Sequence, residues 1–378
     1  MNGKLVKVTT MGDEFEAFIP SPIPNKIPID KKLSQQLEKA EKSLAKLNVA
    51  TELVKGEEWF IYGFVRKEAL ITSQIEGTQA TLTDLLETNE SSPNNPDLEE
   101  VCNYLNALNY TWEQMSSKKG LPLSIRLLKD SHKLLMDGVR GADKYPGEIR
   151  KTQNWIGSHK PQTAIFVPPP PEKVQSLLDD LEKFMHSESS LHPILKISMA
   201  HVQFETIHPF LDGNGRVGRL LIALMMREYG YLNSPLLYLS LFFKKHKNVY
   251  YDLLNKVRTK SSWSEWNEFF IDGVIEVSEN VVATAKSLNE RIVNDRSKLL
   301  AAEDTTVNAI RLFELLPTSP IITPTEAVEK LSLSMPPVSK ALAVLEKLGI
   351  VEEVTGKRKG RKYHYKQYLE ILAPGTEL

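Results

Sequence analysis

His208-Pro209-Phe210-Leu211-Asp212-Gly213-Asn214-Gly215-Arg216-Val217-Gly218-Arg219 packs an imidazole, a carboxylate, two arginines and a glycine-flanked asparagine into one short run. Beyond it, Val217, Leu220, Leu221, Leu224 and Met225 recur at steps of three and four, which predicts a helix with one buried face. Gly213-Asn214-Gly215 therefore falls at a helix N-terminus. Unpaired N–H groups and the helix dipole favour an anion there, and glycine lets the backbone turn toward it. Arg216 and Arg219 stand three apart, so their forked donors are expected on nearby sides of the first turn, gripping a phosphate chain. Asp212 carries the hard oxygens that Mg2+ prefers, and Mg2+ travels with substrate phosphates. His208 is the side chain that takes a proton nearest neutral pH. Gly-Asn-Gly alone is usually a turn and His-Pro alone a helix end. Together they read as the base, metal ligand and phosphate nest of an anion-binding catalytic loop.

His208-Pro209-Phe210 with Asp212-Gly213-Asn214-Gly215-Arg216 and Arg219 resembles the complete core motif of the Fic (filamentation induced by cAMP) family. The resemblance implies a mainly α fold, a Fic helical core that transfers AMP from ATP to a Ser, Thr or Tyr hydroxyl of a target protein. It implies His208 as the catalytic base and Asp212 as the Mg2+ ligand. The nucleotide would lie along Gly213, Asn214, Gly215, Arg216, Val217, Gly218 and Arg219, with Asn214 and the loop amides at the α-phosphate and the two arginines at the outer phosphates. Thr72-Ser73-Gln74-Ile75-Glu76-Gly77 is similar to the family's inhibitory motif of Ser or Thr, three residues, Glu, then Gly or Asn. On that resemblance Glu76 pairs with Arg219 and leaves ATP bound with misplaced phosphates. Without it, Glu76 is a solvated charge at a helix end. Tyr250-Tyr251 falls where similar proteins place an aromatic bordering the adenine, with core packing as the equal alternative.

Outward from the motif, His192–Ile207 is a predicted helix feeding the loop, and a His201/His208 metal pair is set aside because no third ligand is near. Pro171–His186, Ser124–Met136 and Leu98–Trp112 read as further helices. Gln153–Ile156 and Thr163–Val167 are strand-like runs that predict a β-hairpin, ended by Pro168–Pro171. The resemblance makes that hairpin a flap accepting an extended target segment by strand addition. Asn89–Asp97 has the breakers of a loop, Phe60–Gly77 and Leu33–Leu47 have helical spacing, and the proline-rich Phe15–Asp30 predicts an extended arm.

On the C-terminal side, Leu236–Phe243 and Val249–Val257 continue the helical core, and Trp263–Ala301 predicts one long helix, a spacer or a homodimer surface. Asn308–Leu316, Thr325–Leu331 and Val338–Leu348 are three short predicted helices, followed by strands at Ile350–Thr355 and Lys362–Tyr365. They resemble a small winged-helix domain with Ser334–Leu348 as recognition helix. Lys357, Arg358, Lys359, Arg361 and Lys362 make a basic wing able to meet DNA phosphates, with a solvated tip or a protein contact as the alternatives. The expected organisation is 1–96 for arm and inhibitory region, 97–300 for the catalytic core and 301–378 for the winged-helix-like domain.

Composition limits the remaining classes. With 47 basic and 48 acidic residues the chain has no overall attraction to nucleic acid or membrane. One cysteine, Cys102, excludes an internal disulfide and fits a reducing compartment, where it reads as a small core residue. The lack of a long apolar run or signal-peptide layout points to a cytoplasmic protein. The expectation is an auto-inhibited protein adenylyltransferase using ATP and Mg2+. Its rivals are AMP removal, transfer of another phosphate-containing group, and a nucleotide-sensing DNA-binding regulator.

Overall fold

The computed structural model describes residues 2–10, 13–53, 57–88, 93, 95–138, 142–237 and 239–378. At the N-terminus, β1 (Gly3–Thr10) and β2 (Asp13–Pro20) pair antiparallel from Gly3↔Pro20 to Thr10↔Asp13. Phe15–Pro20 is thus a paired strand, and only residues 21–30 run on as the expected arm. Pro20 ends the strand because it has no N–H for the ladder. Phe15 and Ala17 bury against Val167, so β2 leans on the segment expected to be a flap.

Helices make up the rest of the scaffold. α1 (Lys31–Leu53) buries Leu33, Leu37, Ala40, Leu44 and Leu47 and packs along the long α11 (Trp263–Ala301). α2 (Glu57–Ile75) carries the Thr72–Glu76 segment to its C-terminus; the side chain of Phe60 lies outside the described residues. α3 (Leu82–Glu87) starts at a Thr81/Asp84 capping box. α4 (Pro96–Ser116) and α5 (Ile125–Leu135) start at Asn95 and Ser124, whose side chains each cap an N–H of the first turn. Most of the Asn89–Asp97 loop lies outside the described residues. Then come α6 (Pro171–His186), α7 (Pro193–Ile207), α8 (Asn214–Glu228), α9 (Leu239–Lys245) and α10 (Lys247–Lys260). Every α7 position from Ile194 to Ile207 is buried, which makes it the central helix. Cys102 is buried, as a core residue of α4.

The expected hairpin at 153–167 is reduced to one bridge, Ile156↔Phe166, with a 3-10 turn at Pro161–Thr163. Its backbone groups are engaged elsewhere. Val167 O accepts from Phe18 N of β2, and the Gln153 side chain donates to Asn154 O and Pro168 O.

The C-terminal unit contains α12 (Val307–Leu315), β3 (Ile321–Ile322), α13 (Pro324–Leu331), α14 (Met335–Lys347), β4 (Glu352–Glu353), β5 (Tyr363–His364) and α15 (Lys366–Leu372). The sheet order is β3-β5-β4, antiparallel. Helices α12, α13 and α14 and the strand pair β4 and β5 fall close to the spans read from the sequence. The strand β3 and helix α15 are additions that sequence reading did not anticipate. No helix among the described residues is long and apolar enough to cross a membrane.

Candidate functional site

α7 ends at His208, whose backbone turns left-handed (φ 50, ψ 62) while its N–H still bonds Phe204 O at 2.9 Å. A non-glycine residue in that conformation is strained and must be held. Arg150 holds it: Nε donates to His208 O at 2.9 Å, NH2 to Pro169 O at 2.5 Å, and the backbone N–H to Pro209 O at 2.9 Å. The Asn214 side chain closes the loop on itself, accepting from Phe210 N and donating to Phe210 O, each at 2.8 Å. Asp212 Oδ1 accepts from Gly213 N at 2.6 Å, and Gly213 (φ 73) leads into α8. From α5, His132 stacks on Phe210 with ring centroids 3.8 Å apart. Its Nδ1 accepts from Gly147 N, so Nε2 carries the proton and donates to Asp212 O at 3.1 Å. Burial lowers its pKa to about 4, so the ring stays neutral in this role.

The two motif arginines part company. Arg219 is buried, with Nε donating to Thr72 Oγ1 at 2.6 Å and NH2 to Thr72 O at 3.0 Å and to Glu76 Oε1 at 2.6 Å. Arg216 instead reaches Glu100 at 3.3 Å and the Met136 sulfur at 3.7 Å. The expectation that both point along one ligand is corrected: α8 sends one guanidinium toward α2 and the other toward α4 and α5. Glu76 keeps 34% of its side chain exposed. Burial, the largest influence, pushes its pKa up, but the charge and hydrogen bond of Arg219 bring the net value below the ordinary one. At Gly215 a Cβ would lie 2.3 Å from Glu76 Oε1, so only glycine admits this carboxylate.

A cavity of about 530 Å³ opens beside the loop. His208, Gly215, Arg219 and Glu76 line one part of it. Tyr250, Tyr251, Leu254, Asn255 and Arg258 of α10, with Trp155, Ile156, Gly157, Ile165 and Phe166 of the bridge, line another. Glu205 of α7 completes the wall. Of the remaining expected nucleotide residues, Val217 faces the core, Gly218 packs against Phe204 and Glu205, and the Asn214 amide is spent on Phe210. Asp212 is exposed beside the start of α8. One exposed carboxylate there fits Mg2+, which takes one or two protein carboxylates and completes its shell with phosphate and water. Tyr250 is both a wall and a core residue. His201 Nδ1 donates to Gly218 O at 2.9 Å, so its Nε2 accepts from the Tyr250 hydroxyl at 2.9 Å, tying α7, α8 and α10 together.

Burial, then the charges of Arg258 and Arg150, lower the His208 pKa to about 3, and its Nδ1 has no partner among the described residues. Burial raises Glu205 to about 7 against the pull of Arg219. Arg258 donates to Thr206 Oγ1 at 3.1 Å and Glu205 O at 3.2 Å, and lies 3.9 Å over the Phe166 ring. Sequence reading missed Arg150, His132, Glu205 and Arg258. Only Glu205 had a signal, its place one helical turn before His208 on the predicted helix.

The geometry defines a class: a mainly helical protein in which a histidine-bearing loop opens a helix beside a cavity braced by a second, carboxylate-ended helix. Residues 122–226 match the Fic/DOC family model and residues 34–113 the Fic/DOC family N-terminal model. Over these stretches the chain belongs to the Fic/DOC family. It is similar to "Protein adenylyltransferase Fic" of Culex quinquefasciatus, 36% identical over 110 residues, 29% of this chain and 19% of that protein. The Drosophila grimshawi protein of the same name is 40% identical over 87 residues, 22% of this chain and 17% of that one. The chain thus spans about a fifth of the curated relatives it matches. Among solved structures, a Fic family protein from Desulfovibrio desulfuricans G20 aligns at TM-score 0.56 and 19% identity, over 89% of this chain and 97% of that one. A Fic domain containing signaling protein from Bacteroides thetaiotaomicron VPI-5482 aligns at TM-score 0.53 and 18% identity, over 67% and 97%. At these identities the structures establish the shared fold.

Proposed function

We propose that this chain is an auto-inhibited protein adenylyltransferase, moving AMP from ATP to a Ser, Thr or Tyr hydroxyl of a target protein and of itself. The observation that carries the reading is one cavity that joins His208, the start of α8 at Gly215 and the buried guanidinium of Arg219. Phosphates would meet the helix N-terminus and Arg219, and the nucleoside would run along Tyr250 and the apolar wall. His208, neutral because it is buried, takes the proton of the target hydroxyl as that oxygen attacks the α-phosphorus and pyrophosphate leaves. A pKa of about 3 makes it a weak base in the free protein; phosphate charge entering the cavity at Arg219 and the start of α8 strengthens it. Mg2+, held by Asp212 and the phosphates, would supply charge neutralisation. Glu76 on Arg219 occupies the donor that an outer phosphate needs, which is the brake.

The test is intact mass after incubation with Mg2+ and ATP. Glu76→Gly should gain one AMP, the parent little or none, and His208→Ala in the Glu76→Gly background none while still binding ATP. Transfer surviving without His208 would remove it from the chemistry. Glu76 also faces the cavity as a carboxylate, which favours AMP removal as the second reading; the same preparations assayed on an AMP-modified target separate the two. The cations Lys357, Arg358, Lys359 and Arg361 sit together on the exposed wing and keep a DNA contact as a subsidiary reading, scored by a salt-dependent shift on duplex. The long α11 leaves a homodimer to be scored by mass in solution, and the lone cysteine fits a cytoplasmic setting.

A further inference from the structure

We propose that Glu205 is a specificity-determining residue of the cavity, its Oε1 accepting a hydrogen bond from an O–H or N–H donor on the nucleoside half of the nucleotide. The proposal rests on the nucleotide reading above and adds a contact outside the His208–Arg219 motif.

Glu205 sits in the last turn of α7, is 7% exposed, and lines the same cavity as His208. Its Oε1 is buried and has no hydrogen-bond partner among the described residues. Buried acceptors in that state are uncommon, and one on a cavity wall has room for a partner that arrives with the ligand. Three neighbouring side chains have donors committed elsewhere. Arg258 serves Thr206 Oγ1 and the Glu205 backbone carbonyl, the Tyr250 hydroxyl serves His201, and Arg219 serves Thr72 and Glu76. Gly218 makes room for the carboxyl, since a Cβ there would stand 2.2 Å from Oε1. The missing side chain at Gly218 thus gains a use separate from the turn chemistry of the loop.

The class of donor follows from charge. A carboxyl group disfavours phosphate, which belongs with Arg219 and the start of α8. The flat and apolar surfaces of Tyr250, Leu254 and Phe166 suit base and sugar. A nucleoside offers two kinds of donor there, the ribose hydroxyls and an exocyclic amino group. Burial holds the carboxyl pKa near 7, and its carbonyl oxygen accepts in either protonation state.

The experiment is calorimetric binding of ATP, 2′-deoxy-ATP, 3′-deoxy-ATP and purine riboside triphosphate to the full chain. The parent is compared with Glu205→Met, which has similar length and no strong acceptor, and Glu205→Gln, which retains a carbonyl. The parent should bind one analogue about tenfold more weakly than ATP, the loss of one hydrogen bond. Glu205→Met should bind ATP about tenfold more weakly and lose the discrimination, since the donor then has no partner. The analogue that loses its penalty identifies the donor as ribose hydroxyl or base amino group. A parent that binds all four equally overturns the proposal without any variant. A discrimination ratio unchanged in whichever substitutions fold, judged by cooperative melting, overturns it as well. If neither the parent nor Glu76→Gly binds ATP at all, the nucleotide reading fails and this proposal with it; ATP binding without coupling to Glu205 fails this proposal alone.

Discussion

His132, His201 and His208 are buried, with pKa values lowered by burial to about 4, 3 and 3. The unfolded chain protonates each near 6.5 while the fold does not, so stability falls as pH drops below 6.5, by about 1.4 kcal/mol per pH unit per histidine. His201→Gln should therefore flatten the acid limb by about one proton, read as the pH dependence of the urea midpoint. An unchanged slope would mean that His201 is not neutral in the fold. Glu76 behaves in the opposite sense. Its folded pKa lies below 4.5, so the Arg219 contact is complete above that value and is lost as pH falls through the folded pKa. The melting difference between parent and Glu76→Gln should thus be constant above 4.5 and shrink as pH falls below that value toward the lowered folded pKa. His208 and Arg219 could be singled out because the loop motif keeps them at fixed offsets from a helix start, and Glu76 through its resemblance to the family's inhibitory motif. Glu205 had only its place one turn before His208 and Arg258 had no signal, since an acid in one helix and an arginine in another acquire a shared role only where the two helices face each other.

At the scale of elements, the turn from α7 into α8 is stabilised from outside itself. Arg150 reaches it from the stretch just before Gln153, and His132 from α5. Arg150→Lys keeps the charge but loses the fork that serves His208 O and Pro169 O together. We expect a stability loss of about 2–3 kcal/mol and at least a tenfold slower auto-modification in the Glu76→Gly background, with ATP binding near that of the parent. Equal losses in binding and rate would show that Arg150 shapes the whole cavity instead of the histidine. The flap explains why alternation overstates strands. Gln153–Ile156 and Thr163–Val167 have the composition to pair, but β2 captures Val167 O, and Pro161 has no N–H to give. The arm failed in the other direction, because the partner of Phe15–Pro20 lies in a segment of ordinary composition, Gly3–Thr10.

Across the whole molecule, the C-terminal unit buttresses the helix that bears Glu76. Lys67 of α2 donates to Leu372 O at 3.0 Å, its pKa lowered by burial to about 8, and Gln74 donates to Thr376 O at 2.9 Å. Lys362, expected among the wing cations able to meet phosphates, pairs with Glu87 of α3 at 2.5 Å. Lys67→Met would leave the Leu372 carbonyl without that donor. Hydrogen exchange should rise in α15 and the last turns of α2 while α8 stays protected. Exchange that rises equally in α8, or nowhere, would contradict this coupling. By itself the sequence determined the helices and the loop at the start of α8. Those depend on apolar period, caps and glycine, which act between residues a few positions apart. Tertiary structure decided where Arg216 turns, why His208 can stay left-handed, where Glu205 is left unpaired and how the C-terminal unit meets α2. Each of these depends on side chains from segments distant in sequence, and only packing sets the distance between them.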